Sequence, residues 1–159
     1  MDYSFEHIQY NEDDRAQRSL NVFPSINGQI NISYINSTKH VVAWHKHDIQ
    51  TDYWYCIKGS FKVGLASPSY KLNFQGEVYG HEGGLKNLVS DEYSYDVDFE
   101  YLSDKNPRIL KIPPGIYHGY KALEPNSILL YYLSEKYNPK DEIRAKVGDF
   151  GEDWGIENK

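Results

Sequence analysis

Three histidines stand at spacings that let them share one site. The first segment reads His45-x-His47, then Asp52, then Gly59, and the second reads Pro113-x-Gly115-x-x-His118. Alternate side chains of an extended strand point to the same face, so His45 and His47 share a face if their stretch is a strand. Pro113 and Gly115 suit a tight turn, after which His118 opens a strand with its ring pointing the same way. Imidazole and carboxylate donors around an open position can bind a first-row divalent metal. His45, His47, Asp52 and His118 are therefore a candidate ligand set for one ion such as Fe, Mn, Ni or Zn.

The surrounding chain reads as all-β. Short runs rich in Val, Ile, Tyr, Phe and Trp cover 29–35, 40–45, 53–57, 61–65, 95–102, 108–112 and 128–133. Turn residues separate them: Asn27-Gly28, Lys58-Gly59-Ser60, Ser67-Pro68-Ser69, Pro113-Pro114-Gly115 and Glu124-Pro125-Asn126. Many short strands with frequent turns predict a sandwich or barrel. Residues 1–20 are polar and read as a short helix or an arm. The glycine-containing stretch between Gly76 and Asp91 reads as a long loop. The tail 136–159 is expected to pack back on the barrel through Trp154 and Ile156, as a short helical or irregular segment.

Composition narrows the function classes. The chain has 159 residues, enough for a single domain with its own core. A net charge of −6 argues against a nucleic-acid partner. The one cysteine, Cys56, excludes an intrachain disulfide and any multi-cysteine zinc site, and it reads as a small buried hydrophobe. The N-terminal stretch lacks the apolar core of a signal peptide, and no run approaches the ~20 apolar residues of a membrane span. The expectation is a cytoplasmic protein with no membrane partner.

The two histidine segments resemble, in order, the two motifs of the cupins, which implies a jelly-roll barrel, the double-stranded β-helix. Asp52 stands where the cupin ligand set has Glu. A narrower resemblance covers about residues 20–159. Ile112-Pro113-Pro114-Gly115-x-x-His118-Gly119-Tyr120, the run Leu130-Tyr131-Tyr132, the stretch Lys136-Tyr137-Asn138-Pro139-Lys140-Asp141-Glu142 and the ending Gly148-Asp149…Trp154-x-Ile156 are similar to the dTDP-4-dehydrorhamnose 3,5-epimerase family. That resemblance implies a metal-free pocket acting on a nucleotide-linked sugar, and a homodimer, in cell-surface polysaccharide biosynthesis. It implies His45 as the base that removes a proton next to the sugar ketone, Asp149 as its carboxylate partner and Tyr131 as the acid on the other face. Tyr131 lies thirteen residues past His118, as the family pattern asks. His118, His47, Asp52, Trp54 and Lys46 are then the residues expected near the substrate, although strand alternation turns Lys46 away from His45.

These residue types suit that chemistry. A neutral imidazole serves as a base at pH 7, a buried carboxylate fixes its tautomer, and a positioned phenol can return a proton. An enolate oxygen also needs a donor or a cation, and here the sequence departs from the family. The family has Arg in the run before its catalytic His, whereas this chain has Val42-Ala43-Trp44-His45. Asp52 occupies the place of a family Lys, and Ala66-Ser67 stand where a diphosphate-binding Arg is expected. Three readings therefore remain open: an epimerase or isomerase, a metal-dependent cupin enzyme such as a dioxygenase or isomerase, and a non-catalytic sugar-binding cupin.

Overall fold

The computed structural model describes residues 1–14, 17–20, 22–23, 27–69 and 94–156. The expected loop between Gly76 and Asp91 lies outside these residues. Among the described residues twelve strands follow in chain order: β1 (Ser4–Glu6), β2 (Gln9–Glu12), β3 (Gln17–Leu20), β4 (Gln29–Ile35), β5 (Val41–Lys46), β6 (Asp52–Lys58), β7 (Ser60–Ser69), β8 (Ser94–Ser103), β9 (Ile109–Ile112), β10 (Tyr117–Ala122), β11 (Ser127–Leu133) and β12 (Ile143–Arg144). A 3-10 turn, Pro139–Asp141, precedes β12. Among the described residues no helix is long and apolar enough to cross a membrane.

Two five-stranded antiparallel sheets face each other. Their orders are β1-β9-β6-β11-β4 and β12-β5-β10-β7-β8, and β2 and β3 form a separate hairpin. The core between the sheets gathers Trp54, Cys56, Phe61, Val63, Leu65, Leu102, Leu110, Ile112 and Leu129, all nearly inaccessible. Strand alternation produces it: Phe61, Val63 and Leu65 point inward while the intervening residues of β7 point out. Burial together with the Asp104 carboxylate pushes the Cys56 thiol up to about 12, so it is inert packing.

The outer face of the second sheet is also covered. Trp44, Ala66, Tyr117 and Trp154 form a second apolar cluster there, joined by Phe150, Val97 and Phe99. Trp154 is 1% exposed, and its ring lies 5.3 Å from that of Trp44. Gly64 leaves room for both indoles, since a Cβ there would come within 2.6 Å of each. The Glu152 carboxylate accepts both indole N–H groups, from Trp44 at 3.1 Å and from Trp154 at 2.8 Å. A tail with little regular structure is thereby fixed to the sheet that carries His45.

The N-terminal stretch differs from the helix-or-arm expectation. β1 adds to the first sheet beside β9, with Phe5 opposite Leu110, and β2 and β3 pair from Gln9↔Leu20 to Glu12↔Gln17. Polar side chains hid these strands because β2 is exposed along its length and has no buried alternation to read.

Candidate active site

The motif residues converge at the mouth between the sheets. His45 on β5 sits directly opposite His118 on β10. Asp52 opens β6 in the other sheet, and Tyr131 on β11 lies opposite Trp54 of β6. The turn before β10 holds this geometry. Gly115 adopts a φ of +91°, which favours glycine, and its N–H donates to the His47 carbonyl at 2.8 Å. A cavity of about 230 Å³ results, lined by His45, His47, Asp52, Trp54, His118 and Tyr131 among others.

Hydrogen-bond partners fix the tautomers. The Nδ1 of His118 lies 3.0 Å from the Ile116 carbonyl, and that of His47 lies 2.8 Å from the Asp141 carbonyl. A carbonyl only accepts, so each Nδ1 carries the hydrogen and each neutral ring keeps its lone pair on Nε2. Those Nε2 atoms face Asp52, at 3.5 Å from His118 and 4.0 Å from His47. Asp52 also accepts from Gln50 Nε2 at 2.6 Å and Trp54 Nε1 at 3.0 Å. Burial pushes the His118 pKa below its ordinary value, against the opposing pull of Asp52, so this ring is neutral at pH 7.

His45 differs from the other two. Its Nδ1 lies 2.9 Å from Glu142 Oε1. The carboxylate sets Nδ1 as the protonated nitrogen and leaves the Nε2 lone pair as the basic site. Burial works against ionisation of Glu142, but Arg144 at 3.1 Å and His45 together hold its carboxyl below the usual range. The neighbouring Asp141 has a different task. Its carboxylate accepts from the backbone N–H of Asp48, Ile49 and Gln50 at 2.8, 3.1 and 3.1 Å. It thereby ties down the bend that carries His47 into Asp52.

Two expected site residues stand elsewhere. Asp149 does not hold His45; its carboxylate accepts from the Lys146 N–H at 2.7 Å, within the turn that also bonds Asp149 N–H to the Lys146 carbonyl. That turn draws Asp149 back onto its own backbone and leaves the His45 ring to Glu142. Lys46 lies on the opposite face of β5, with Nζ 5.0 Å from the centre of the Tyr117 ring, and does not line the cavity. Trp54 is a buried wall edge-on to His118, held to Asp52. Tyr131 lines the cavity, with its hydroxyl 3.3 Å from Ser33 Oγ.

Glu142 and Asp141 carried a readable signal. They end the stretch Tyr137-Asn138-Pro139-Lys140-Asp141-Glu142, in which Asn138 and Pro139 start a turn. Two acids directly after a turn-initiating pair in a tail that packs on the barrel are candidates to reach the site.

The metal candidates divide as well. One ligand atom each from His47, Asp52 and His118 lies within 4.8 Å of the others, and His45 is outside this group. The donor chemistry fits a small divalent ion: each imidazole presents Nε2 inward while its Nδ1–H is held by a backbone carbonyl.

The barrel with its histidine-lined mouth is a cupin jelly roll. The crystal structure of a dTDP sugar isomerase from Desulfovibrio desulfuricans G20 superimposes with a TM-score of 0.70 at 16% identity, covering 99% of this chain and 94% of that one. A mutant of the 3,4-ketoisomerase QdtA from Thermoanaerobacterium thermosaccharolyticum, in complex with TDP-4-keto-6-deoxyglucose, gives 0.63 at 14% identity over 94% and 91% of the two chains. The family model for dTDP-4-dehydrorhamnose 3,5-epimerase matches residues 88–158. Spore coat polysaccharide biosynthesis protein SpsL of Bacillus subtilis (strain 168) is 30% identical over 122 residues, 74% of this chain and 68% of that protein. The chain belongs to the dTDP-4-dehydrorhamnose 3,5-epimerase family.

Proposed function

We propose that this protein is an epimerase or isomerase of a nucleotide-linked, dTDP-type 4-keto-6-deoxy sugar in cell-surface polysaccharide biosynthesis. The observation that carries the reading is the His45–Glu142 contact of 2.9 Å in a cavity shared with Tyr131. His45 Nε2 removes the proton on the carbon next to the ketone, and the electron pair of the broken C–H bond moves into an enolate. Glu142 stabilises the imidazolium that forms. Tyr131 gives its phenolic proton to the enolate carbon from the other face and recovers a proton from solvent, while His45 releases to solvent the proton it took. The side chains of Asn31 and Asn138 line the cavity as neutral donors for the enolate oxygen. The crystal complex of QdtA with a 4-keto-6-deoxy sugar nucleotide gives the substrate class to try. Incubation of the protein with dTDP-4-keto-6-deoxyglucose in D2O should add one or two mass units to the recovered sugar. An unchanged mass would overturn the reading.

The His47–Asp52–His118 cluster favours a second reading, a metal-dependent cupin. These residues would hold one divalent ion, and a bound ion would polarise a substrate oxygen. Elemental analysis of protein purified without a histidine tag separates the readings, since stoichiometric Fe, Mn, Ni or Zn supports the second. Sugar-nucleotide binding with no exchange into the sugar would instead indicate a non-catalytic sugar-binding cupin.

The outer face of the first sheet supports a homodimer. Ile30, Ile32 and Tyr34 of the edge strand β4 are 50%, 44% and 68% exposed. They stand opposite Tyr132, Leu130 and Ile128 of β11. A second copy covering this face would remove the row from water.

A further inference from the structure

The proposed sugar pocket poses a charge problem. Among the described residues its lining includes the carboxylates of Asp52 and Glu142 but no lysine or arginine. A diphosphate calls for charge-assisted donors, and the described cations within reach of a sugar seated over His45 stand outside the pocket.

The segment after the 3-10 turn supplies such cations. Ile143, Ala145 and Val147 pack onto the Trp44–Trp154 cluster. Alternation along an extended chain then sends Glu142, Arg144 and Lys146 to the other side. Arg144 is opposite His45 in the β5–β12 register, and its side chain is 68% exposed. Arg144 and Lys146 line an open hollow of about 660 Å³ together with Val41 and Asp149, and His45 borders both this hollow and the sugar pocket. Two residues of extended chain span about 7 Å and four span about 14 Å. A cation row thus runs outward from the partner of the proposed base over the length of a sugar diphosphate. Arg144 spends one donor on Glu142 and has four left. Asp149, the acid in the hollow, is engaged by the Lys146 N–H.

We propose that Arg144 and Lys146 form a ledge that binds the diphosphate of the sugar nucleotide. The ledge stands in for the diphosphate-binding Arg that the family pattern places where this chain has Ala66-Ser67. The inference rests on the nucleotide-sugar reading above, and the experiment separates the two. Thymidine diphosphate is titrated calorimetrically into the wild type, into the Arg144→Ala/Lys146→Ala variant, and into the charge-matched variant Lys58→Ala/Lys105→Ala, whose residues are exposed and border neither cavity. The ledge variant should bind about 10- to 100-fold more weakly, with the affinity for thymidine alone unchanged. The control should stay within about twofold of wild type. If the double variant proves unfolded by thermal melting, Lys146→Ala alone should weaken binding about threefold or more. Equal affinity of ledge variant and wild type, or an equal loss in the control, overturns the ledge. A wild type that binds no thymidine diphosphate overturns the nucleotide-sugar reading itself.

Discussion

Exchanging Glu142 for Gln removes one charge and little else. The amide oxygen can still accept from His45 Nδ1–H, so tautomer and ring orientation persist. What disappears is the attraction between Glu142 and the imidazolium that forms as His45 takes its proton. Two unit charges about 4 Å apart interact by about 4 kcal/mol at an effective dielectric constant near 20. The His45 and Glu142 side chains are 27% and 15% exposed, so solvent screens part of this. A remainder of about 2–3 kcal/mol lowers the rate of proton abstraction about 30- to 150-fold. Asp149→Asn is the paired control, and it should change the rate at most about twofold, because its carboxylate caps a backbone N–H and does not touch His45. Both variants are followed by deuterium uptake into dTDP-4-keto-6-deoxyglucose. A large loss with Asp149→Asn and none with Glu142→Gln would refute the assignment of Glu142.

Other perturbations test other parts of the molecule. Tyr131→Phe should retain solvent exchange at the acidified carbon while losing inverted product at least about 100-fold, read as the ratio of exchange to inversion by NMR. Trp154→Ala should destabilise the fold by about 3–5 kcal/mol in urea denaturation, because it empties the site between Gly64 and Trp44. Burial works to raise the Glu152 carboxyl, but N–H donors from Gly148, Trp154 and Trp44 outweigh it and hold the group below its ordinary value. A depressed carboxyl stabilises the fold fully above its unfolded pKa, and that stability fades as the pH falls through the folded one. Acid unfolding below about pH 4.5 should therefore be less pH-dependent in Glu152→Gln than in wild type. Ile32→Lys should convert a dimer to a monomer in light scattering, with the circular dichroism spectrum unchanged.

The legible part of the fold was the part with buried faces. The runs at 29–35, 53–57 and 128–133 coincide closely with β4, β6 and β11. Pro113-x-Gly115 announced the turn that starts β10 because only a few residue types suit a positive φ. β7 extends to Ser69, past Pro68, because Ser69 still pairs with Ser94 of β8, a long-range contact that no local pattern shows. His45, His47, Asp52 and His118 were located in sequence, but their division of labour was not. That division depends on which acceptor each Nδ1 meets, Glu142 for His45 and backbone carbonyls for the other two. Glu142 comes from a stretch almost a hundred residues away. Its proximity is decided by the packing of the tail, where the shift from Asp149 to Glu142 is seven residues that motif spacing could not resolve.

His45 is proposed as a base aimed at a carbon next to a ketone. The most direct measurement of that role is the 1H NMR spectrum of dTDP-4-keto-6-deoxyglucose in D2O, recorded over time with wild type and with His45→Ala. The H3 or H5 signal of the sugar should disappear with wild type and persist with His45→Ala. Persistence of both signals with wild type, or their equal loss with His45→Ala, would contradict that role.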